Sequence, residues 1–208
     1  MFKGWDICLR CGINVVGKTL LDGNVSKPFG NRGYVALYSI GFGMGASRTQ
    51  GDNSAEIYSR VKQALDDFLT DKVVEPLLDT NLVGISMIKI FSTSWDHHKI
   101  MTKWVQKLFC HLDRGYVANS EGSEVTLVAC SMMKFLEVGF GRTFERVRDG
   151  VLKLIDDERN GIQVDREQLR SCVEVFIVMG VCQSQLCKVL KYYSISDCIF
   201  QMIFSLSP

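Results

Sequence analysis

The chain has 208 residues, 47% hydrophobic and 23% charged, with 24 basic against 23 acidic side chains and a net charge of +1. That length suits one domain or two small ones, and the composition excludes intrinsic disorder. The balanced charge argues against a general nucleic-acid binder, which needs a basic excess to neutralise phosphates.

The amino terminus has no apolar stretch ahead of a cleavage site. The longest apolar run, Val175–Cys182, falls far short of the roughly 20 residues a spanning helix needs, so no membrane partner is expected. Eight cysteines without a secretion signal read as reduced thiols in the cytoplasm and/or nucleus.

In chain order, Cys8 and Cys11 form C-x-x-C on an expected helix. A zinc site would need a second ligand pair, and Cys182 and Cys187 have the wrong spacing; the pair reads as free thiols. Tyr34–Ile40 then leads into Gly41, Gly43 and Gly45. A strand entering a dinucleotide-binding turn would look similar. The spacing here is G-x-G-x-G, however, and no alternation of strands and helices follows.

The rest of the chain carries helical periodicity. Asn53 with Glu56 makes a capping-box start, and Ile57, Val61, Leu65, Phe68 and Leu69 share one face. Pro76 predicts a kink or end by Leu78. Trp95–Val117 is the next helix, with Ile100, Trp104, Leu108 and Leu112 recurring every fourth residue. Trp95, Trp104 and Phe109 at this spacing read as core, and His97 and His98 as solvated residues at a helix start. Val125–Phe140 reads as a further helix. Val147, Val151, Leu154 and Ile155 form a face that stops at Asn160-Gly161. Asp165 caps the last helix, with Gln168 three residues on, and Gly180 is expected to end it. The fold class is all-α, an antiparallel helical stack.

No chemical motif survives this reading. Adjacent histidines cannot supply the i, i+4 pair of a helical metal site. No nucleophile elbow or P-loop occurs, and the carboxylates lie on solvated faces. Neither catalytic residues nor a cofactor or metal site is expected.

At Trp95–Trp104 (W-D-H-H-K-I-M-T-K-W) and Phe109–Val117 (F-C-H-L-D-R-G-Y-V) the sequence becomes recognisable. It resembles the amino-terminal region of cullins, especially plant members of the class used in SCF ubiquitin ligases, where the pattern is W-x-x-H-K-x-M, then W, then L-D-R. Val151–Gly161 matches the family's L-I-x-x-E-R-x-G. Gly4-Trp-Asp, Tyr34–Tyr38, Ile57–Val61 and Val73–Pro76 match further helices in order. The likeness covers about residues 4 to 180.

The resemblance implies a scaffold whose first helical repeat grips the small adaptor that carries F-box substrate receptors. Carried over residue by residue, the partner-binding candidates are Tyr34, Val35 and Tyr38 from one helix and Asp113, Arg114, Tyr116 and Val117 from another. It also implies residues 1–119 as a first cullin-repeat-like bundle, 120–180 as the start of a second repeat, and 181–208 as a divergent tail. Past Gly180 the likeness stops, and the carboxy-terminal cullin homology region, with its RING-protein docking site, has no counterpart; no RING partner is expected. Gly41, Gly43 and Gly45 fall where the family continues a helix, at about 1 kcal/mol each relative to alanine, and are expected to fray its back half. Gly115 stands where an aromatic or histidine is usual. Besides the adaptor-binding scaffold, an inert partial gene product and a nucleotide enzyme using Gly41–Gly45 stay open.

Overall fold

The four-residue recurrence of apolar side chains makes helices wherever the chain is described. The structure, a computed structural model, describes residues 30–45, 53–79 and 84–186. The helices are α1 (Asn31–Gly45), α2 (Ser54–Leu69), α3 (Glu75–Leu78), α4 (Ile85–Leu112), α5 (Leu127–Lys134), α6 (Gly141–Arg159) and α7 (Arg166–Leu186). Among the described residues there is no strand. The expected helix from Asn53 to Leu78 is present, and its continuity past Pro76 has a local cause. Thr70–Val74 forms a wide π-type turn in which the Glu75 N–H bonds the Thr70 carbonyl five residues back. That opening lets a residue without an N–H sit in the first turn of α3 instead of clashing inside a regular helix.

Similar wide turns follow α4, at Asp113–Val117, and join α5 to α6, at Phe135–Phe140. The segments expected as separate helices before and after residue 140 are therefore one helical path. Helix α4 also begins ten residues before Trp95, and it bends at Phe109 (φ −117°, ψ 20°). Gly180 does not end α7, which continues to Leu186; one interior glycine costs about 1 kcal/mol, too little to stop a helix whose Phe176 and Met179 are buried.

Two terminators act as expected. The Asp165 carboxylate accepts the Glu167 and Gln168 N–H groups at 3.1 and 3.2 Å. At the end of α6, Ile162 N–H bonds the Asp157 carbonyl and Gly161 N–H the Glu158 carbonyl. This is a Schellman cap, with Gly161 at φ +82° supplying the left-handed residue it needs.

The chain divides into two compact units that interleave along the sequence. The first holds the described residues up to Phe68 and His97–Lys134. Its core joins Leu37 of α1, Ile57, Tyr58, Val61 and Leu65 of α2, and Met101, Val105, Leu108, Phe109 and Leu112 of α4. The Tyr58 hydroxyl donates to the Val125 carbonyl at 2.6 Å. Lys62–Glu124 (3.2 Å) and Lys134–Asp66 (2.9 Å) tie further elements at the rim. The second unit holds the described residues of Leu69–Asp96 and from Phe135 to Leu186. Phe91, Phe135, Phe140, Phe144 and Phe176 pack there with ring centroids 5.0–6.3 Å apart. A Cβ on Gly150 would collide with the Met87 methyl, so that glycine lets α6 approach α4 closely.

Candidate functional site

Helix α1 carries one charged residue, Arg32, and three aromatics at four-residue spacing, Tyr34, Tyr38 and Phe42. Four-residue spacing stacks them on one face. Tyr34 lies 6.3 Å from Tyr38 with the rings 27° apart, and Tyr38 lies 6.2 Å from Phe42 at 20°. The core needs little of this helix: Leu37 and Gly41 are buried, and Tyr34, Tyr38 and Ile40 are half-buried. Val35 and Phe42 remain 58% and 49% exposed.

Helix α4 supports the ladder. The Tyr34 hydroxyl donates to the Lys107 carbonyl at 3.2 Å, and its ring meets Trp104 edge-on at 6.4 Å. Lys107 lies over the Trp104 ring, 4.7 Å from its centroid. The Tyr38 phenol is pushed up from its ordinary value, first by desolvation and then by the Cys110 thiol, with the Arg114 guanidinium opposing. Arg114 therefore sets its charge beside the ladder, and it is exposed.

The other residues expected at this site turn inward. The Asp113 carboxylate accepts the Leu127 N–H at 2.8 Å, at the start of α5. Tyr116 packs on Tyr58 with centroids 5.5 Å apart, and Val117 packs against the core of the first unit. The structure thus groups Tyr34, Val35, Tyr38 and Arg114. It adds Phe42, Trp104 and His111, which sequence reasoning did not place here. Phe42 was signalled by its four-residue offset from Tyr38, a signal masked by the expectation that the glycines around it fray the back half of the helix.

Those glycines are helical. α1 runs unbroken to Gly45, so Gly41–Gly45 is no strand-to-helix turn, and the nucleotide-binding alternative loses its basis. The expected fraying is absent because α1 is seated on α4 at this point. A Cβ on Gly41 would stand 3.6 Å from His111 Cε1 and 3.7 Å from the Leu108 carbonyl oxygen, ordinary contact distances.

His98 is a second correction. It lies inside α4, fully buried, where a solvated helix start was expected. Its Nε2 faces Ser131 Oγ at 3.4 Å and Thr102 Oγ1 at 3.5 Å, and those hydroxyls are 2.7 Å apart. Desolvation pushes its pKa down to about 3, so the imidazole is neutral. Ser-His proximity suggests nucleophile activation, yet these three side chains have almost no exposed surface, so no substrate reaches them. Trp95 and Phe109 are core as expected, whereas Trp104 is only half-buried. Among the described residues no group of three or more His, Cys, Asp or Glu side chains is placed to hold a metal ion. No described helix is long and apolar enough to cross a membrane. Cys8, Cys11 and Cys187 lie outside the described residues.

Comparison with known proteins decides the family. The model of the cullin alpha solenoid domain matches residues 23–201. The chain belongs to the cullin family. It is 25% identical to Cullin-1 of Oryza sativa subsp. japonica over 179 residues, 86% of this chain and 23% of that protein. It is 26% identical to Putative cullin-like protein 1 of Arabidopsis thaliana over 181 residues, 87% of this chain and 24% of that protein. It is also 26% identical to Cullin-2 of Arabidopsis thaliana over 178 residues, 86% and 23% of the two chains. This cullin chain thus spans about a quarter of the length of these relatives. The helical stack described above, and the α1–α4 face it exposes, both lie within the residues matched to the cullin solenoid.

Proposed function

We propose that this cullin-family chain is a non-catalytic scaffold of a ubiquitin ligase whose α1–α4 face binds the F-box adaptor and, through it, F-box substrate receptors. The observation that carries the reading is the Tyr34–Tyr38–Phe42 ladder. Three stacked aromatics and an exposed Val35 stand on a helix whose one buried large side chain is Leu37, with Tyr34 and Ile40 packed beside it. Aromatic anchors dominate the energetics of protein interfaces, and stacking holds these rings in place before a partner arrives, which lowers the entropic cost of association. Arg114 adds a cation at one edge. Asp113, Tyr116 and Val117 serve this surface indirectly, by holding the corner that carries Arg114.

The test is a titration of the purified chain with the adaptor. Tyr38→Ala is expected to weaken binding by about 1–3 kcal/mol, the range of an aromatic anchor, with the circular dichroism spectrum unchanged. Binding equal to the parent in both Tyr34→Ala and Tyr38→Ala would remove the reading. In a reconstituted ubiquitination assay, residues 1–208 in excess over a full-length cullin are expected to lower product formation by mass action. Product formed without the full-length cullin would overturn the scaffold role.

A further inference from the structure

His111 packs against α1 from the opposite helix. Its ring meets Tyr38 edge-on at 6.2 Å and Phe42 edge-on at 5.8 Å, and lies 6.3 Å from Phe109. Its Cε1 faces Gly41, so the edge between the two ring nitrogens is turned toward the α1 backbone. Both nitrogens are buried without a hydrogen-bond partner among the described residues. The α1 backbone that faces the ring gives it no hydrogen bond among the described residues.

We propose that His111 is a pH-responsive seat for α1: neutral, it holds the helix against α4, and protonated, it releases the helix and withdraws the face that α1 presents. The seating rests on the geometry above; its consequence for partner binding rests on the function proposed in the preceding subsection.

Among the described residues, the surroundings of the ring supply no compensating anion. On α1 the titratable side chain facing it is Tyr38, and α1 has no acidic residue. On its own element, Lys107 is engaged over Trp104 one turn earlier, Cys110 lies beside Tyr38, and Arg114, one turn later, is another cation. The nearest carboxylate in sequence, Asp113, is committed to the Leu127 N–H. Burial holds the imidazole below its ordinary 6.5. Protonation is therefore disfavoured while α1 is seated and relieved when α1 lifts and water reaches the ring. The sign follows: seating is complete above pH 6.5 and weakens as pH falls below it.

The experiment is hydrogen–deuterium exchange of the full chain at pH 7.5 and 5.5, corrected for the intrinsic pH dependence of exchange. Protection of α1, measured relative to α2, is expected to fall severalfold at pH 5.5, to a limit of about tenfold for the one pH unit below 6.5. Normalising to α2 removes any loss that His98 imposes on the whole unit. In His111→Phe the α1-specific loss is expected to vanish. An NMR titration of the parent's His111 ring is expected to give a midpoint below 6.5, and it does not depend on a variant folding. The seat is overturned by α1 protection that tracks α2 at both pH values, by an α1-specific loss that persists in His111→Phe, or by a midpoint at or above 6.5. Adaptor titrations at both pH values separate the two proposals. Binding that weakens at pH 5.5 in the parent but not in His111→Phe supports both. No adaptor binding at either pH, alongside an α1 loss that follows His111, sinks the partner reading and leaves the seat standing.

Discussion

In the unit built from the described residues of Leu69–Asp96 and from Phe135 to Leu186, five phenylalanines pack in the interior with no histidine among them. The unit built from the described residues up to Phe68 and His97–Lys134 contains all three histidines of the chain. It buries a His98–Thr102–Ser131 cluster and leaves a row of aromatics half in water along α1. Aromatic packing gains from area and shape alone and is indifferent to pH. A buried polar cluster is stable only while each group keeps its partner and its charge state. The difference separates a region held by apolar packing from one that buries polar groups and leaves aromatics exposed, and it can be pressed from both sides.

The largest effect is expected in the phenylalanine unit. Phe91→Ala removes a fully buried ring touching Phe135, Phe140 and Phe176, and chemical denaturation should show a loss of about 3–5 kcal/mol. A loss under about 1 kcal/mol would mean the cluster is not the anchor of that unit. Next comes pH. His98 is neutral when folded, with its pKa pushed down to about 3 from 6.5. Its stabilising contribution is whole above pH 6.5 and is lost as pH falls toward 3. Between pH 7 and pH 5 the first unit should lose about 2 kcal/mol, read by hydrogen exchange of α2, while α6 and α7 stay level. Equal losses in both units would erase the contrast.

A smaller effect belongs to Asp113. Asp113→Ala strips the acceptor from Leu127 N–H and should cost about 1 kcal/mol, as a lost helix cap does; Asp113→Asn should recover most of it. If both variants lose adaptor binding with stability intact, Asp113 contacts the partner directly. The smallest effect runs the other way. Gly43 is exposed within α1, and nothing lies within 4 Å of a Cβ placed there. Gly43→Ala should therefore stabilise α1 by about 0.5–1 kcal/mol, seen as added protection of that helix alone.

Much of this was legible in the chain. The caps at Asp165 and at Asn160-Gly161 were readable because capping is local: donor and acceptor lie within a few residues. The aromatic row on α1 was readable as far as Tyr38 through the resemblance to cullins, and once the segment is helical its spacing puts residues 34 and 38 on one face. Phe42 was lost to an argument from propensity, which tertiary packing overrides: three glycines weaken an isolated helix, but α1 lies on α4. The resemblance to cullins implies Asp113 and Tyr116 as partner contacts. Only the return of the chain at Leu127 and the position of Tyr58 show that both are occupied.

The sequence by itself determined the helical class, the ends set by local caps and the family, because periodicity, caps and motif order are properties of neighbours along one strand of chain. The tertiary structure alone decided which units form. The chain passes from one unit to the other at Phe68–Leu69, Asp96–His97 and Lys134–Phe135, so each unit is assembled from segments far apart in the sequence. It also decided the states of the histidines. His97, His98 and His111 have the same intrinsic chemistry, but His98 is sealed beside Ser131 and His111 is pressed against Gly41. Desolvation is set by what packs around a ring, and what packs around these rings comes from residues 33 and 70 positions away.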